Sequence, residues 1–493
     1  MRSPIFGGYS TAPARNLAYN RCINLYAEVV DTKDGKAIGG LFGTPGLTLW
    51  KTVDEGPIRG IWQLSSQVNS NEIYVVSNIN LYKVNDGATT LIPVAAPYTS
   101  EGIAGFGPVE IIDNGTQLAI FTPGIGAAAY LFDTAMSANV QKLALPFVPS
   151  GAATYQDGFG LAAQQASFEF FQSDLNNLGN WNALNFASAD SLPDHIVALA
   201  QIHREIFVIK QTHTEVWVNA GLAGFAFQRL PNVYIESGCV APASVAIVAE
   251  TLVWLARNRE GQPVVMQISG YQPAIISTFS MAEEISKYST VTDATAFAFM
   301  QGGHIYYQIN FPSGDMSWVY DHSVSRMLGY PVWHQRLAFD GGMFSRHWAD
   351  NAWPLVDGRI VVGDYRAHNG NLYFLDPNNL TDNGQIIKRL RTWRALPQPT
   401  DSPTRFSSLR IDMETGINVP DGTSPLGVMR WSDDGGYTWS TERMVSLGAP
   451  GETSWQVMYR RLGSTRRLTG LDRIFEFSVT DQCPVNIIGA ELR

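Results

Sequence analysis

One pattern recurs between residue 57 and about residue 390: a short apolar strand, a polar turn, and a second strand with an aromatic side chain near its middle. It reads IYVVSNINLYKV at 73–84, LAIFTPGIGAAAYLF at 118–132, IFVIKQTHTEVWV at 206–218, IYYQINFPSGDMSWVY at 305–320 and IVVGDYRAHNGNLYF at 360–374. Further copies fit near Gly158 to Phe171 and Leu252 to Ile268, so this stretch holds roughly seven units. Repetition at about 40 to 50 residues is the signature of propeller blades. A chain of separate hairpin sheets would leave many open edges, whereas radial repetition leaves only short, protected ones. The expectation is therefore a closed β-propeller over 57–395. A row of independent β-sandwiches is the alternative, and no Pro/Gly/Ser-rich linker divides 57–390 to support it.

Helical periodicity is confined to Ser280 to Lys287, where Met281 and Ile285 stand four apart, and to a second candidate at Ala241 to Val248. Three prolines within Leu396 to Pro403 predict an extended connector. Beyond it, strands are expected at Phe406–Met413, Gly427–Trp431, Trp455–Arg461, Ile474–Val479 and Val485–Leu492, which suits a C-terminal β-sandwich over 396–493. Residues 1–56 are left as an N-terminal segment that supplies a closing strand and leads into the propeller.

Charge and cysteine usage exclude several classes. The 493 residues carry 34 Lys+Arg and 44 Asp+Glu, a net charge of −10, so a basic surface for gripping duplex DNA is not expected. The balance is uneven: 388–493 hold 14 basic and 12 acidic residues, and the first 387 residues have a net charge of −12. Charged residues are only 16% of the chain, which fits a protein that covers much of its exterior against partners. Cys22, Cys239 and Cys483 are far apart and lack metal-ligand spacing, as expected of buried thiols in a reducing cytoplasm. The opening MRSPIFGGYSTAPARN has no apolar run that would mark a secretory signal. The longest apolar run, Ser244 to Ala256, is broken by Glu250 and too short to span a bilayer, so no membrane insertion is expected.

The sharpest local motif is Ser432-Asp-Asp434-Gly-Gly436-Tyr-Thr438-Trp439, an Asp-box hairpin. Its Ser and Asp side chains can satisfy turn amides, Gly436 permits positive φ, and Trp439 packs beneath. Asp-boxes occur in sialidases away from the catalytic residues; this chain has a single box and no Arg-Ile-Pro. None of the eight histidines forms H-E-x-x-H or H-x-H, and there is no phosphate-cradling loop and no G-x-S-x-G. The pairs Asp433/Asp434 and Glu283/Glu284 are sequence neighbours, which does not suit paired acid–base work. No catalytic residue, cofactor or metal is therefore expected. Two basic clusters remain: Lys388, Arg389, Arg391 and Arg394, and Arg460, Arg461, Arg466 and Arg467 with Arg473 after them. Their candidate role is to pair with acidic surface on a neighbouring subunit; contact with nucleic-acid phosphates and a solvated face with local ion pairs are the alternatives.

Several stretches together resemble the packaged-DNA stabilisation proteins of short-tailed bacteriophages, also called tail hub or nozzle proteins. They are Arg21-Cys-Ile-Asn24-Leu-Tyr26-Ala-Glu28, Leu41-Phe-Gly43-Thr44-Pro45-Gly46-Leu47, Gly56-Pro-Ile-Arg59-Gly60, Asn80-Leu81-Tyr82-Lys83-Val84 and Gly238-Cys239-Val240-Ala241. C-terminal matches are Trp431 to Trp439, Arg460-Arg461-Leu-Gly463, Arg466-Arg467, Phe477 to Thr480 and Ile488 to Glu491. The likeness runs in order along the chain, with 100–230 matching only in β-rich character. It implies a non-enzymatic virion protein of the tail, assembled in the host cytoplasm. Such a protein is a homo-hexameric ring below the portal and adaptor that extends the channel for double-stranded DNA. It retains the packaged genome and anchors the needle and the tailspike or fibre proteins. A propeller glycosidase and a glycan-binding adhesin of a phage tail are the alternative readings.

Overall fold

Alternating runs rich in Val, Ile, Tyr and Phe build seven successive sheets. In this computed structural model the described residues are all but 13, 14, 16, 17, 31–36, 106, 396–403, 418–421, 423 and 466–472. The first strands of the sheets are Ile58–Trp62, Glu110–Asp113, Pro149–Gln156, Ile196–Ile202, Ala246–Val248, Thr295–Gln301 and Ala349–Pro354. They line up around a centre, each touching the next. Between the fourth and fifth sheets the 3₁₀ turn Pro242–Ser244 makes the contact, and Ala349–Pro354 returns to Ile58–Trp62 to close the ring. This is the β-propeller. Each recurring sequence unit forms the middle pair of strands of one sheet, as with Ile73–Ser77 and Asn80–Val84 in the first.

The ring is closed by a strand from the N-terminal region. Gly46–Thr52 pairs antiparallel with Asn371–Asp376 and so completes the seventh sheet, while Thr381–Asp382 joins its other edge in parallel. The cores between sheets are apolar and aromatic: Tyr74, Leu118, Ile120 and Tyr130 between the first and second, for example, all at most 1% exposed.

The C-terminal strands form a β-sandwich, with a large N-terminal contribution. One of its sheets runs Val457–Ser464, Arg405–Met413, Asn486–Leu492, Gly39–Gly43 and Leu25–Val29, and Arg2–Ser3 adds to Asn486–Leu492. The other continues directly from the sixth blade: Trp333–Gln335, Cys22–Ile23, Arg389–Arg394, Ile474–Val479, Leu426–Ser432 and Arg443–Ser446 lie side by side in one nine-stranded sheet. Sheet pairing thus places Arg389–Arg394 with the sandwich strands, ahead of the proline-rich connector, which lies outside the described residues. The sandwich core holds Trp393, Leu409, Phe475 and Phe477.

Asn24 fixes the seam between the two bodies. Its φ is 54°, a left-handed conformation that Asn tolerates better than most side chains. Its Nδ2 donates to the carbonyls of Leu337 at 2.8 Å and Lys388 at 3.0 Å, and its Oδ1 accepts from the Leu337 amide at 2.8 Å.

Helix is scarce, as expected. Phe279–Ile285 is helical, capped by the Thr278 hydroxyl and buried through Met281, Ala282 and Ile285. The expected helix at Ala241–Val248 is corrected: the stretch is a 3₁₀ turn at Pro242–Ser244 followed by strand Ala246–Val248. Pro242 starts the turn, and pairing with Thr251–Arg257 outweighs the weak helical pattern. All three cysteines are buried thiols.

Candidate assembly surfaces and buried polar sites

The first basic cluster sits on strand Arg389–Arg394, buried along nearly its whole length between Cys22–Ile23 and Ile474–Val479. Arg389 and Arg391 are 2% and 1% exposed. The Arg391 guanidinium donates to the carbonyls of Ile5 at 2.8 Å, Gly8 at 3.0 Å and Arg21 at 3.3 Å. It ties down the N-terminal segment, and burial pushes its pKa down. Lys388 lies over the Phe339 ring, 5.1 Å from its centroid, and Arg394 is half-buried. The expectation that this cluster faces a neighbouring subunit is thus corrected for Arg389 and Arg391. A strand covered on both faces turns their side chains into protein, where carbonyls replace water.

The second cluster divides. Arg460 and Arg461 are exposed on Val457–Ser464, an edge strand of the sandwich. Arg466 and Arg467 lie outside the described residues. Arg473 turns inward, is 2% exposed, and grips both oxygens of Asp433 at 2.7 and 2.8 Å while donating to the Leu462 carbonyl at 2.6 Å. Of the described basic candidates, Arg460 and Arg461 are the exposed ones.

The Asp-box closes as its sequence demands. Ser432 Oγ accepts from the Gly436 amide at 2.8 Å, and Asp434 Oδ1 accepts from the amides of Tyr437 at 3.0 Å and Thr438 at 2.8 Å. Gly436 has a φ of 89°, which an L side chain would resist. Trp439 is half-buried beneath Arg430, whose guanidinium carbon is 4.8 Å from the ring centroid. Burial opposes the Asp434 charge, but hydrogen bonds from Thr438, Ser432 and Tyr437 outweigh it and hold its pKa at about 2. Asp433 and Asp434 therefore serve different partners, an arginine and a turn.

Two buried networks escape motif reading. In the fourth sheet, Lys210 ion-pairs with Asp194 at 3.0 Å and donates to the Ala189 carbonyl at 2.6 Å. Ser191 Oγ lies 2.8 Å from His213 Nε2, and His213 Nδ1 is 3.3 Å from Asp194. The order serine–histidine–aspartate is that of a nucleophilic triad, but the chemistry is otherwise. The Ser191 hydroxyl donates to Glu215, and burial together with the Lys210 charge depresses the pKa of His213. A base so weakened, beside a carboxylate that already takes the serine proton, does not activate a nucleophile; the network pins the 189–195 connection. In the sixth sheet, His304 bridges Asp321 at 2.7 Å and Glu28 at 3.0 Å, linking a propeller strand to a sandwich strand. Spacing of 17 and 276 residues hid this bridge from sequence reading. Among the described residues no group of three His, Cys, Asp or Glu side chains could hold a metal ion. Among the described residues no helix is long and apolar enough to cross a membrane.

The same two bodies appear in comparisons with known proteins. The family model described as bacteriophage P22 Gp10, β-propeller, matches residues 1–379, and the model described as bacteriophage P22 Gp10, β-sandwich, matches residues 393–493. The chain belongs to the bacteriophage P22 Gp10 family. This is the packaged-DNA stabilisation or tail hub family, and the Gp10-family chain is a structural protein of the phage tail. No curated protein matches the sequence. Among solved structures, similar chains include the WD40 β-propeller domain of Doa1, with 9% identity and a TM-score of 0.37 over 67% of this chain and 97% of that one. The N-terminal domain of Nup159 has 8% identity and a TM-score of 0.38 over 72% and 99% of the two chains. The extracellular domain of BT4673 from B. thetaiotaomicron has 9% identity and a TM-score of 0.43 over 82% and 47%.

Proposed function

We propose that six copies of this chain form a ring below the portal and adaptor, extend the DNA channel, retain the packaged genome and carry the needle and spikes. The observation that supports this most is the family match across both bodies, 1–379 and 393–493. The physical features agree with it. A closed propeller continuous with a sandwich through one sheet makes a stiff building block. Arg460 and Arg461 offer planar, bidentate partners for carboxylates on an adjacent copy. The net charge of −12 over the first 387 residues favours DNA sliding past rather than sticking.

Electron microscopy of the purified full chain, alone and mixed with portal–adaptor complexes, tests the reading. Six-fold rings seated on the complexes are the expected result. A chain that stays monomeric and leaves the complexes bare overturns it.

A further inference from the structure

A cavity of about 260 Å³ lies where the sixth blade, the chain leaving the seventh and the sandwich meet. Its walls include Tyr306 and His334 from the blade, Gly43 and Asn486 from the sandwich sheet, and two arginines, Arg336 and Arg389. Among the described residues no aspartate or glutamate lines it. Both arginines are buried, 3% and 2% exposed. Arg336 donates through Nη2 to the Pro45 carbonyl at 2.8 Å. Arg389 is the anomaly: its Nε and Nη1 are buried and have no acceptor among the described residues.

A buried guanidinium normally finds a carboxylate or a set of carbonyls, as Arg391 does two residues on. The carboxylate whose charge both arginines feel is Asp382, itself buried, with Oδ1 unpartnered. Among the described residues no ion pair joins it to Arg336 or Arg389. Burial raises its pKa to about 6 against the pull of these arginines. His334 is held neutral by burial and by the positive charges of Arg336 and His304. Asp382 offsets at most one of the two guanidinium charges, so the local charge stays positive. The seat is also shaped: a methyl group at Gly43 would lie 2.6 Å from Arg389 Nε, so a residue without a side chain lets the guanidinium reach this wall.

We infer that this cavity binds a small tetrahedral oxyanion of the phosphate or sulfate class, with Arg389 and Arg336 as its principal partners. Such an ion presents acceptors in several directions, which two guanidinium forks at one void can use together. It neutralises charge at the seam between the two bodies. The inference rests on the single chain and holds whatever ring that chain joins.

The test measures thermal unfolding and calorimetric binding of the full chain in sodium phosphate, sulfate and acetate, against chloride at matched ionic strength. Phosphate and sulfate are expected to bind saturably and raise the unfolding midpoint, with acetate at least tenfold weaker. Arg389→Met removes an unpaired buried charge, so in chloride its midpoint should equal or exceed that of the wild-type chain. In phosphate the order should reverse, because the variant retains only the general salting effect of these ions. Gly43→Ala, which crowds the guanidinium without removing it, should weaken phosphate binding at least tenfold. If Arg389→Met fails to fold, ³¹P line broadening of phosphate by the wild-type chain, relieved by sulfate, carries the test. Equal binding of acetate, an equal phosphate response in Arg389→Met, or no saturable signal with the wild-type chain overturns the inference.

Discussion

Replacing Asn24 puts a number on the seam between propeller and sandwich. Asn24→Ala leaves the Leu337 amide without its side-chain acceptor, at about 1–3 kcal/mol for a buried group, and takes a donor from each of the Leu337 and Lys388 carbonyls, at about 1 kcal/mol apiece. Holding alanine at a φ of 54° adds about 1–2 kcal/mol. With partial relaxation, a loss of about 4 kcal/mol is expected. Asn24→Gly loses the same hydrogen bonds but not the strain, so it should be about 1 kcal/mol more stable than the alanine variant, the reverse of the order in a helix or strand. Urea unfolding followed by tryptophan fluorescence reads the change, since Trp333 and Trp393 lie on the strands flanking this seam. Pulse proteolysis covers the case where refolding is incomplete. An alanine variant within about 1 kcal/mol of the wild-type chain, or a glycine variant below the alanine one, would refute the reasoning.

Other outcomes follow from the same geometry. Burial alone would depress the His304 pKa, but hydrogen bonds to Asp321 and Glu28 raise it to about 8. Its charged form therefore stabilises the fold fully below about pH 6.5, and this is lost as pH rises through about 8. His304→Gln should flatten the unfolding midpoint across that window. Arg473→Met strands Asp433 and should cost about 3 kcal/mol in chemical denaturation; adding Asp433→Leu should recover most of it. Asp434→Ala should speed amide hydrogen exchange at Gly436–Thr438 while lowering global stability by only about 1 kcal/mol. Because the Asp434 pKa is depressed to about 2, its contribution is present above about pH 4 and fades as pH falls toward 2, an effect seen in the wild-type chain and absent from the variant.

The blades were legible because their strands carry local signals. The unit at 118–132 spans the observed strands Gln117–Phe121 and Ala129–Asp133 to within a residue at each end, and in the sandwich the run Ile474 to Val479 coincides with its strand residue for residue. The Asp-box was legible for the same reason: the Ser432 and Asp434 side-chain hydrogen bonds that close it span no more than four residues. The N-terminal segment's share in the sandwich was not, because those pairings reach across the chain, as with Arg2 against Glu491 and Cys22 against Arg391. Nothing in a two-residue stretch such as Cys22–Ile23 announces a partner more than 300 residues away. Arg389 and Arg391 misled because charge reads as surface. The signal available was their alternation with Leu390 and Thr392 ahead of Trp393, a strand pattern in which both faces carry large side chains.

The strand Gly46–Thr52 has a bearing on how the molecule is made. It emerges from the ribosome early and cannot find Asn371–Asp376 until more than 300 further residues have been synthesised. Arg2–Ser3 waits longer still, for Asn486–Leu492. Leu25–Val29 and Gly39–Gly43 can pair with each other early, but the edges that Arg2–Ser3 and Gly46–Thr52 offer stay open through most of translation, and closing such long loops is slow. A nascent product truncated before the final strand retains open edges in the sandwich, on Arg2–Ser3, Gly39–Gly43 and Arg405–Met413, which marks incomplete copies for aggregation or proteolysis before they can poison an assembly.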